Sequence, residues 1–306
     1  MIEKTPILDS LTYLFLITGI LIVGFPIIYA LIAATLPIHE VSRVPMPLIP
    51  GDQLLVNIKM AWINGNLGTN LLNSFIMATG ITIGKITVSL LGAFSIVYFD
   101  YRFRTVAFVS VFCTLMLPVE VRILPTYEMA ANILGPFQGL WDIFHLNGLA
   151  GWIAGHDIEV SLDWSLLDSY TGLIMPLVAS ATCTFLFRQF FLTIPEELCE
   201  AAKMDGASAM TFFRKILLPL SKTNIAALVV IEFVYGWNQY LWPLLITTNP
   251  KMMTAVIGLQ NLIPAADDLP YWNVALAGSL IVMLPPIVVV LFMQRWFVKG
   301  LVEPEK

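Results

Sequence analysis

The sequence predicts an all-α integral membrane protein with six transmembrane helices, and three observations carry that prediction. First, 58% of the residues are hydrophobic and only 12% charged, with a mean hydropathy of +0.82; soluble domains carry roughly 25% charged residues. A soluble chain this apolar could not cover its own surface. Second, charge-poor runs of about 20 residues recur, the length an α-helix needs to cross a bilayer. Third, those runs lack the polar–apolar alternation of a transmembrane β-barrel. The formal charge of −5 matters less than where the charges fall.

The first span covers residues 11–36. It is too long for a signal-peptide core of about 7–15 residues, and Glu3, Lys4 and Asp9 precede it, so it reads as an uncleaved span. The second covers 71–99, with Lys85 near its centre. The third covers 105–124, with Glu120 and Arg122 at its outer end. The fourth covers 170–187. The fifth covers 223–246 and is interrupted by Glu232. The sixth covers 271–294 and contains Pro285-Pro286, which predicts a kink.

Orientation follows from lysine and arginine in the short connections. With both termini inside, the inner side carries Lys4, Arg102, Arg104, Arg188, Lys203, Arg214, Lys215, Lys222, Arg295, Lys299 and Lys306. The outer side carries only Arg43, Lys59, Arg122 and Lys251, and is otherwise acidic: Asp142, Asp157, Glu159, Asp163, Asp168, Asp267 and Asp268. The connection 125–169 holds Trp141, Trp152 and Trp164 but no Lys or Arg. Tryptophans favour headgroup level, so short helices are expected there, lying on the outer membrane face.

No catalytic constellation is legible. Residues 80–87, "GITIGKIT", imitate a phosphate-binding loop, but that loop needs four residues between its glycines and Ser or Thr directly after Lys. The gap here is three, Ile86 follows Lys85, and the segment lies mid-span. The histidines, His39, His145 and His156, are scattered over outer segments. Cys113 and Cys183 sit in apolar runs and Cys199 in a charged segment, with no metal or disulfide spacing. The expectation is no catalytic residue, no metal site and no cofactor in this chain.

One segment breaks the apolar character: "EELCEAAKMDGASAMTFFRKILLPL", residues 196–220, placed in the cytoplasm by the charge asymmetry. Pro195 suits a first helical position, and Glu196 and Glu197 complement the helix dipole. Ala201 and Ala202 leave a bare surface for close approach. Gly206 can take the left-handed turn that ends a helix, and Ser208 can cap the next. Phe212, Phe213, Ile216 and Leu217 then share an apolar face. From the residues alone, such a knob is either a docking element or an ordinary connecting helix.

The motif Glu200-Ala201-Ala202, three residues, Gly206, nine residues, then Ile216-x-Leu218-Pro219 resembles the EAA signature of ABC importer permeases. "LTIPEEL" and "DGAS" nearby are similar too. So, over most of the chain, are "LLNSFIMA", "GKITVSLLGAFSIVYF", "TLMLPVEVRILPT", "LDSYTGLIMPL", "FLFRQFF", "LPLSKTN" and "YGWNQYLWPLLI", which resemble the carbohydrate-uptake branch and, within it, the permeases of sn-glycerol-3-phosphate importers. The resemblance implies the type I ABC importer permease fold: one permease domain over 1–306, a core of five spans over 71–294, and a coupling segment over 193–220. It implies that Glu197, Glu200, Ala201, Ala202, Asp205 and Gly206 couple to a cytosolic ATPase. It also implies a related second permease as heterodimer partner, two ATPase copies that use the ATP, a periplasmic binding protein, a bacterial inner-membrane location and no nucleic acid. One departure is an extra extracytoplasmic stretch over 135–166.

Ionisable groups inside a membrane are costly and read as functional by default. Lys85 and Glu232, the latter roughly 14 Å deep at helical rise, lie at similar depths and can pair. Structural pairing inside the bundle and lining of the substrate route both remain open for them. Arg122 either attracts an anionic phosphate at the outer mouth, where a guanidinium forks well, or anchors span three; Glu120, two positions away, is not on its face. Trp237, Asn238 and Gln239 in "YGWNQYLWP" combine ring and amide, as a polyol phosphate requires; the amides are expected to face the bundle, where interhelical bonding is the competing reading. The function expected is inward translocation of sn-glycerol 3-phosphate, or a related glycerophosphodiester, by alternating access. A neutral-sugar permease is the alternative within the class, and a membrane scaffold without transport fits poorly with these polar residues. A secondary transporter would need inverted repeats or broken helices, which the sequence does not display.

Overall fold

The computed structural model describes residues 6–114, 119–144, 163–263 and 271–302. Among these there are helices and turns and no β-strand. They divide into two compact units, one comprising the chain up to Leu71 with Ala255–Leu284, the other Leu72–Thr254 with the chain from Pro285 onward.

In the first unit the helix Pro6–Thr35 carries no charge beyond Asp9 in its first turn and is exposed along most of its length. Its last carbonyls have no intrahelical donors; Thr35 O accepts from Gln53 N at 2.8 Å, and a side chain serves the carbonyls on either side. Asn57 Nδ2 donates to Ala34 O at 2.9 Å and to Leu36 O at 3.0 Å. Asn273 Nδ2 then donates to Asn57 Oδ1 at 2.9 Å, so a buried amide relay closes the helix end. The helix Leu54–Asn64 ends at Gly65, whose carbonyl accepts from Asn70 Nδ2.

The second unit carries most of the remaining helices. The long helix Leu67–Tyr98 runs into it and presents Gly80 and Gly84. A Cβ at Gly80 would come within 2.6 Å of Ile174 Cδ1, and one at Gly84 within 2.6 Å of Val178 Cγ2. A Cβ at Gly236 would come within 2.9 Å of the Ala78 backbone. The glycines that imitate a phosphate loop are therefore packing contacts, as small residues are between membrane helices.

Several expected spans are interrupted. The fourth consists of Tyr170–Leu177 and Ala181–Phe191, bent by 49°, with the Ser180 hydroxyl accepting from Cys183 N at the restart. The fifth does not run unbroken over 223–246: Lys222–Trp237 ends at Asn238, and Leu241–Ile246 follows as a separate helix. At its start it meets Ala209–Leu220 at 73°. Broken helices therefore do occur, and cannot be used against a secondary transporter. The third span falls on Arg104–Cys113 and Val119–Ala131, on either side of residues outside the description. The sixth, within Trp272–Val302, stays helical through Pro285 and Pro286. In the connection between spans three and four, Gly135–Ile143 is helical and carries Trp141; residues 145–162, with Trp152, lie outside the described residues.

Candidate functional site

The segment after span four is built by local signals. Glu196–Met204 is helical, with Pro195 at the N-cap rather than at the first helical position. Its φ of −57° suits a helix, but its ψ of 135° keeps it extended. At the other end Gly206 has φ +71°. Gly206 N donates to Lys203 O at 3.0 Å and Ala207 N to Ala202 O at 2.9 Å, the paired bonds of a Schellman ending. Ser208 accepts from Thr211 N and caps the helix Ala209–Phe212. A π-helical turn, Phe213–Leu217, comes next; Pro219 has no N–H to donate to the carbonyl four residues back, and the helix widens just before it.

This small structure is glued down on one side only. Ala202, Phe212, Phe213 and Leu217 are buried in one cluster with Phe94, Phe187, Phe191 and Leu228. Phe94 and Phe213 lie 4.9 Å apart between ring centroids, and Tyr98 and Phe212 5.2 Å. The opposite side is open: Glu196, Glu197, Glu200, Ala201, Lys203, Asp205 and Gly206 are exposed, and Met204 is 84% exposed. Of the two alanines only Ala201 belongs to the free surface; Ala202 belongs to the core.

Lys85 and Glu232 meet inside the second unit. Lys85 Nζ lies 2.8 Å from Glu232 Oε2, and both residues are 5% exposed. The other carboxylate oxygen accepts from Cys183 Sγ at 2.8 Å. The ammonium also sits 3.5 Å from the centre of the Tyr235 ring. Glu232 and Tyr235, three apart on one helix face, thus hold the cation from two sides. A buried pair is tolerable only when its remaining hydrogen-bonding capacity is met, and the thiol and the ring supply that. No spacing pattern pointed to Cys183 or Tyr235.

The residues of "YGWNQYLWP" separate. Trp237 is 2% exposed and stacks on Phe233 at 5.9 Å. Asn238, expected to face the bundle, is exposed at the C-cap. Gln239 is half-buried and donates to Tyr235 O at 3.2 Å. The helix stops at Trp237, so positions 238 and 239 leave the face that its periodicity assigns them. Arg122 is exposed on Val119–Ala131, and the Glu120 side chain lies outside the described residues.

A polar clamp that sequence reasoning missed joins the segments before span four and after span five. Asp168, at φ +52°, accepts from Thr248 Oγ1, from Thr248 N at 2.7 Å and from Asn249 N at 2.7 Å. The Thr248 hydroxyl, then the Asn249 amide, hold its carboxyl below the usual carboxylate range. Asn73 donates to Lys251 O and Met253 O and accepts from the Tyr170 hydroxyl. The available signal at Asp168 was its tolerance of the left-handed region.

A family model described as "Binding-protein-dependent transport system inner membrane component" matches residues 86–303. The curated "sn-glycerol-3-phosphate transport system permease protein UgpE" of Pectobacterium atrosepticum is 50% identical over 312 residues, covering 100% of each chain. The proteins of the same name from Yersinia pestis and Salmonella typhimurium are also 50% identical with the same coverage. Among solved structures, a bacterial ABC transporter involved in the import of the acidic polysaccharide alginate matches with a TM-score of 0.70, at 19% identity, over 97% of this chain and 99% of that one; this likeness supports the fold alone. With its membrane-length helices, exposed EAA helix and these matches, the chain belongs to the inner-membrane permease components of binding-protein-dependent ABC importers.

Proposed function

We propose that this chain is a permease subunit that moves sn-glycerol 3-phosphate inward by alternating access. The observation that carries the substrate is the 50% identity, over the full length of both chains, to permeases of sn-glycerol-3-phosphate transport. Related glycerophosphodiesters share the recognised group and belong to the same reading. As one permease domain with a five-span core over 71–294 and an extra outer stretch over 135–166, the chain pairs with a related second permease, two copies of a cytosolic ATPase and a periplasmic binding protein. ATP is bound and hydrolysed on the ATPase. Both termini and the segment 193–220 face the cytoplasm.

Within this scheme Glu197, Glu200, Ala201 and Asp205 contact the ATPase. Ala202 and Gly206 hold the helix at the angle that presents them. Arg122 receives phosphate at the outer mouth, and Trp237, Asn238 and Gln239 line the route at the break in span five. Lys85 and Glu232 support that break from behind: each already occupies the other's charge, which leaves neither free to bind a substrate anion.

The test is uptake into proteoliposomes holding the chain with its second permease, ATPase and binding protein. ATP-dependent accumulation of labelled sn-glycerol 3-phosphate is expected, with competition by glycerophosphodiesters and none by neutral sugars. Accumulation of a neutral sugar instead would overturn the substrate and leave the family intact. Orientation is tested by single cysteines in a background without Cys113 and Cys199, the buried Cys183 being kept. Ser165→Cys is expected to label in intact cells, and Ser208→Cys only after the inner face is opened.

A further inference from the structure

The helix Ala181–Phe191 has one basic residue in its last turn, Arg188. Its guanidinium carbon lies 4.1 Å from the centre of the Phe108 ring on Arg104–Cys113. Phe185 and Phe112 pack the same two helices together, 5.7 Å apart between centroids. Pairing 188 with 108 and 185 with 112 makes the helices antiparallel, so the end of one lies beside the start of the other. Arg188 is three residues from its helix end and Phe108 four residues into its helix. Both lie about 4.5–6 Å from those ends at helical rise, the depth of a membrane boundary rather than its centre.

Stacking on the ring fixes the guanidinium plane and leaves its edge for forked hydrogen bonds. Arg188 Nε is buried without a hydrogen-bond partner among the described residues. The ion pairs among those residues are Lys85–Glu232 and Arg104–Asp100; none involves Arg188. An acceptor from outside the chain cannot reach the enclosed Nε, but Arg188 as a residue is only half-buried, and its terminal nitrogens, charged donors that need an acceptor, remain open to one. Arg104, four before Phe108, lies on the same helix face one turn nearer the end. Its contact with the exposed Asp100 is 4.0 Å long, weak enough to yield to a better anion.

We propose that Arg188, stacked on Phe108 and seconded by Arg104, forms a phosphate-binding site at the inner membrane surface that takes a glycerophosphate group. Two sources carry that chemistry: the headgroup of phosphatidylglycerol in the adjoining leaflet, and sn-glycerol 3-phosphate in solution. Placement on the inner surface rests on the orientation proposed above; the binding chemistry does not.

The full-length chain, delipidated in neutral detergent, is titrated with dioleoyl phosphatidylglycerol, with dioleoylglycerol as the phosphate-free control, and with sn-glycerol 3-phosphate, and the complexes are counted by native mass spectrometry. Arg188→Gln is expected to weaken phosphatidylglycerol binding about fivefold, the effect of one basic residue at an anionic surface. Arg188→Lys is expected in between, since an ammonium lacks the fork. Arg104→Gln has a smaller effect, about twofold, and dioleoylglycerol binding is the same in all variants. If the Arg188 dependence appears with sn-glycerol 3-phosphate and not with the lipid, the site serves the free phosphate. Equal curves for wild type and Arg188→Gln with both phosphates overturn the site. Should Arg188→Gln fail to fold, Phe108→Leu keeps both cations and removes the ring; unchanged phosphate binding in that variant overturns the stacked geometry. Absence of sn-glycerol 3-phosphate transport would leave the lipid titration unaffected, so the two readings fail separately.

Discussion

The segment 196–220 and the Lys85–Glu232 cluster are opposite solutions to placing charge in an apolar chain. The first keeps its charges outward and is shaped by neighbours in sequence: a dipole-matched start, a left-handed glycine, a serine cap. The second buries its charges and joins residues 147 apart in sequence, with Cys183 and Tyr235 completing the shell. The local structure should tolerate change piecemeal, each alteration affecting presentation to a partner. The buried cluster should behave as a unit, because removing one member strands a charge.

The largest effect is expected at the cluster. Glu232→Leu leaves the Lys85 ammonium buried and unpaired, which costs about 3–5 kcal/mol. The variant should show a sharp fall in monodisperse protein and in melting temperature. Lys85→Met combined with Glu232→Leu should recover most of the loss. A double variant as unstable as the single one would show that the pair does not act as a unit.

Next comes Arg122, exposed and outside both regions. If it receives phosphate, Arg122→Gln loses charge-assisted bonds worth roughly 1.5–3 kcal/mol, a tenfold or greater loss of apparent affinity, and Arg122→Lys recovers only part. Uptake against substrate concentration, normalised to assembled complex, measures this. An unchanged concentration dependence in Arg122→Gln leaves it an anchor.

Gly206→Val forces a β-branched residue to a φ of +71°, at about 1–2 kcal/mol. No neighbouring atom lies within 4 Å of a Cβ built there, so the strain is in the backbone and stays local. Transport and transport-linked ATP hydrolysis should fall while membrane insertion holds and the melting temperature drops far less than in Glu232→Leu. A loss of insertion would erase the contrast with the cluster.

The smallest effect is at Asp168. Its pKa is lowered in the fold, so its contribution is complete above the ordinary carboxylate value of about 3.9 and is lost as pH falls through the depressed value. The melting-temperature gap between wild type and Asp168→Asn should be constant above about pH 5 and shrink below about pH 4. A gap that widens on acidification would contradict the sign.

Composition and apolar run length by themselves determined the class, and the helix ends of the segment 196–220 were readable from their capping residues. Caps, left-handed glycines and membrane-length runs depend on a few adjacent residues, and their physics is present in any short window of sequence. Only the tertiary structure decided that Gly80, Gly84 and Gly236 are helix contacts, that spans four and five are broken, that Asn238 leaves the helix face, and that Asp168 clamps the segment before span four to the one after span five. Apolar periodicity continues across a break, so a broken span and a straight one read alike. Lys85 and Glu232 were matched in depth by counting residues. Cys183 and the Tyr235 ring enter only when three helices close on one point, because a side chain's partners across a bundle are set by packing and leave no trace in spacing along the chain.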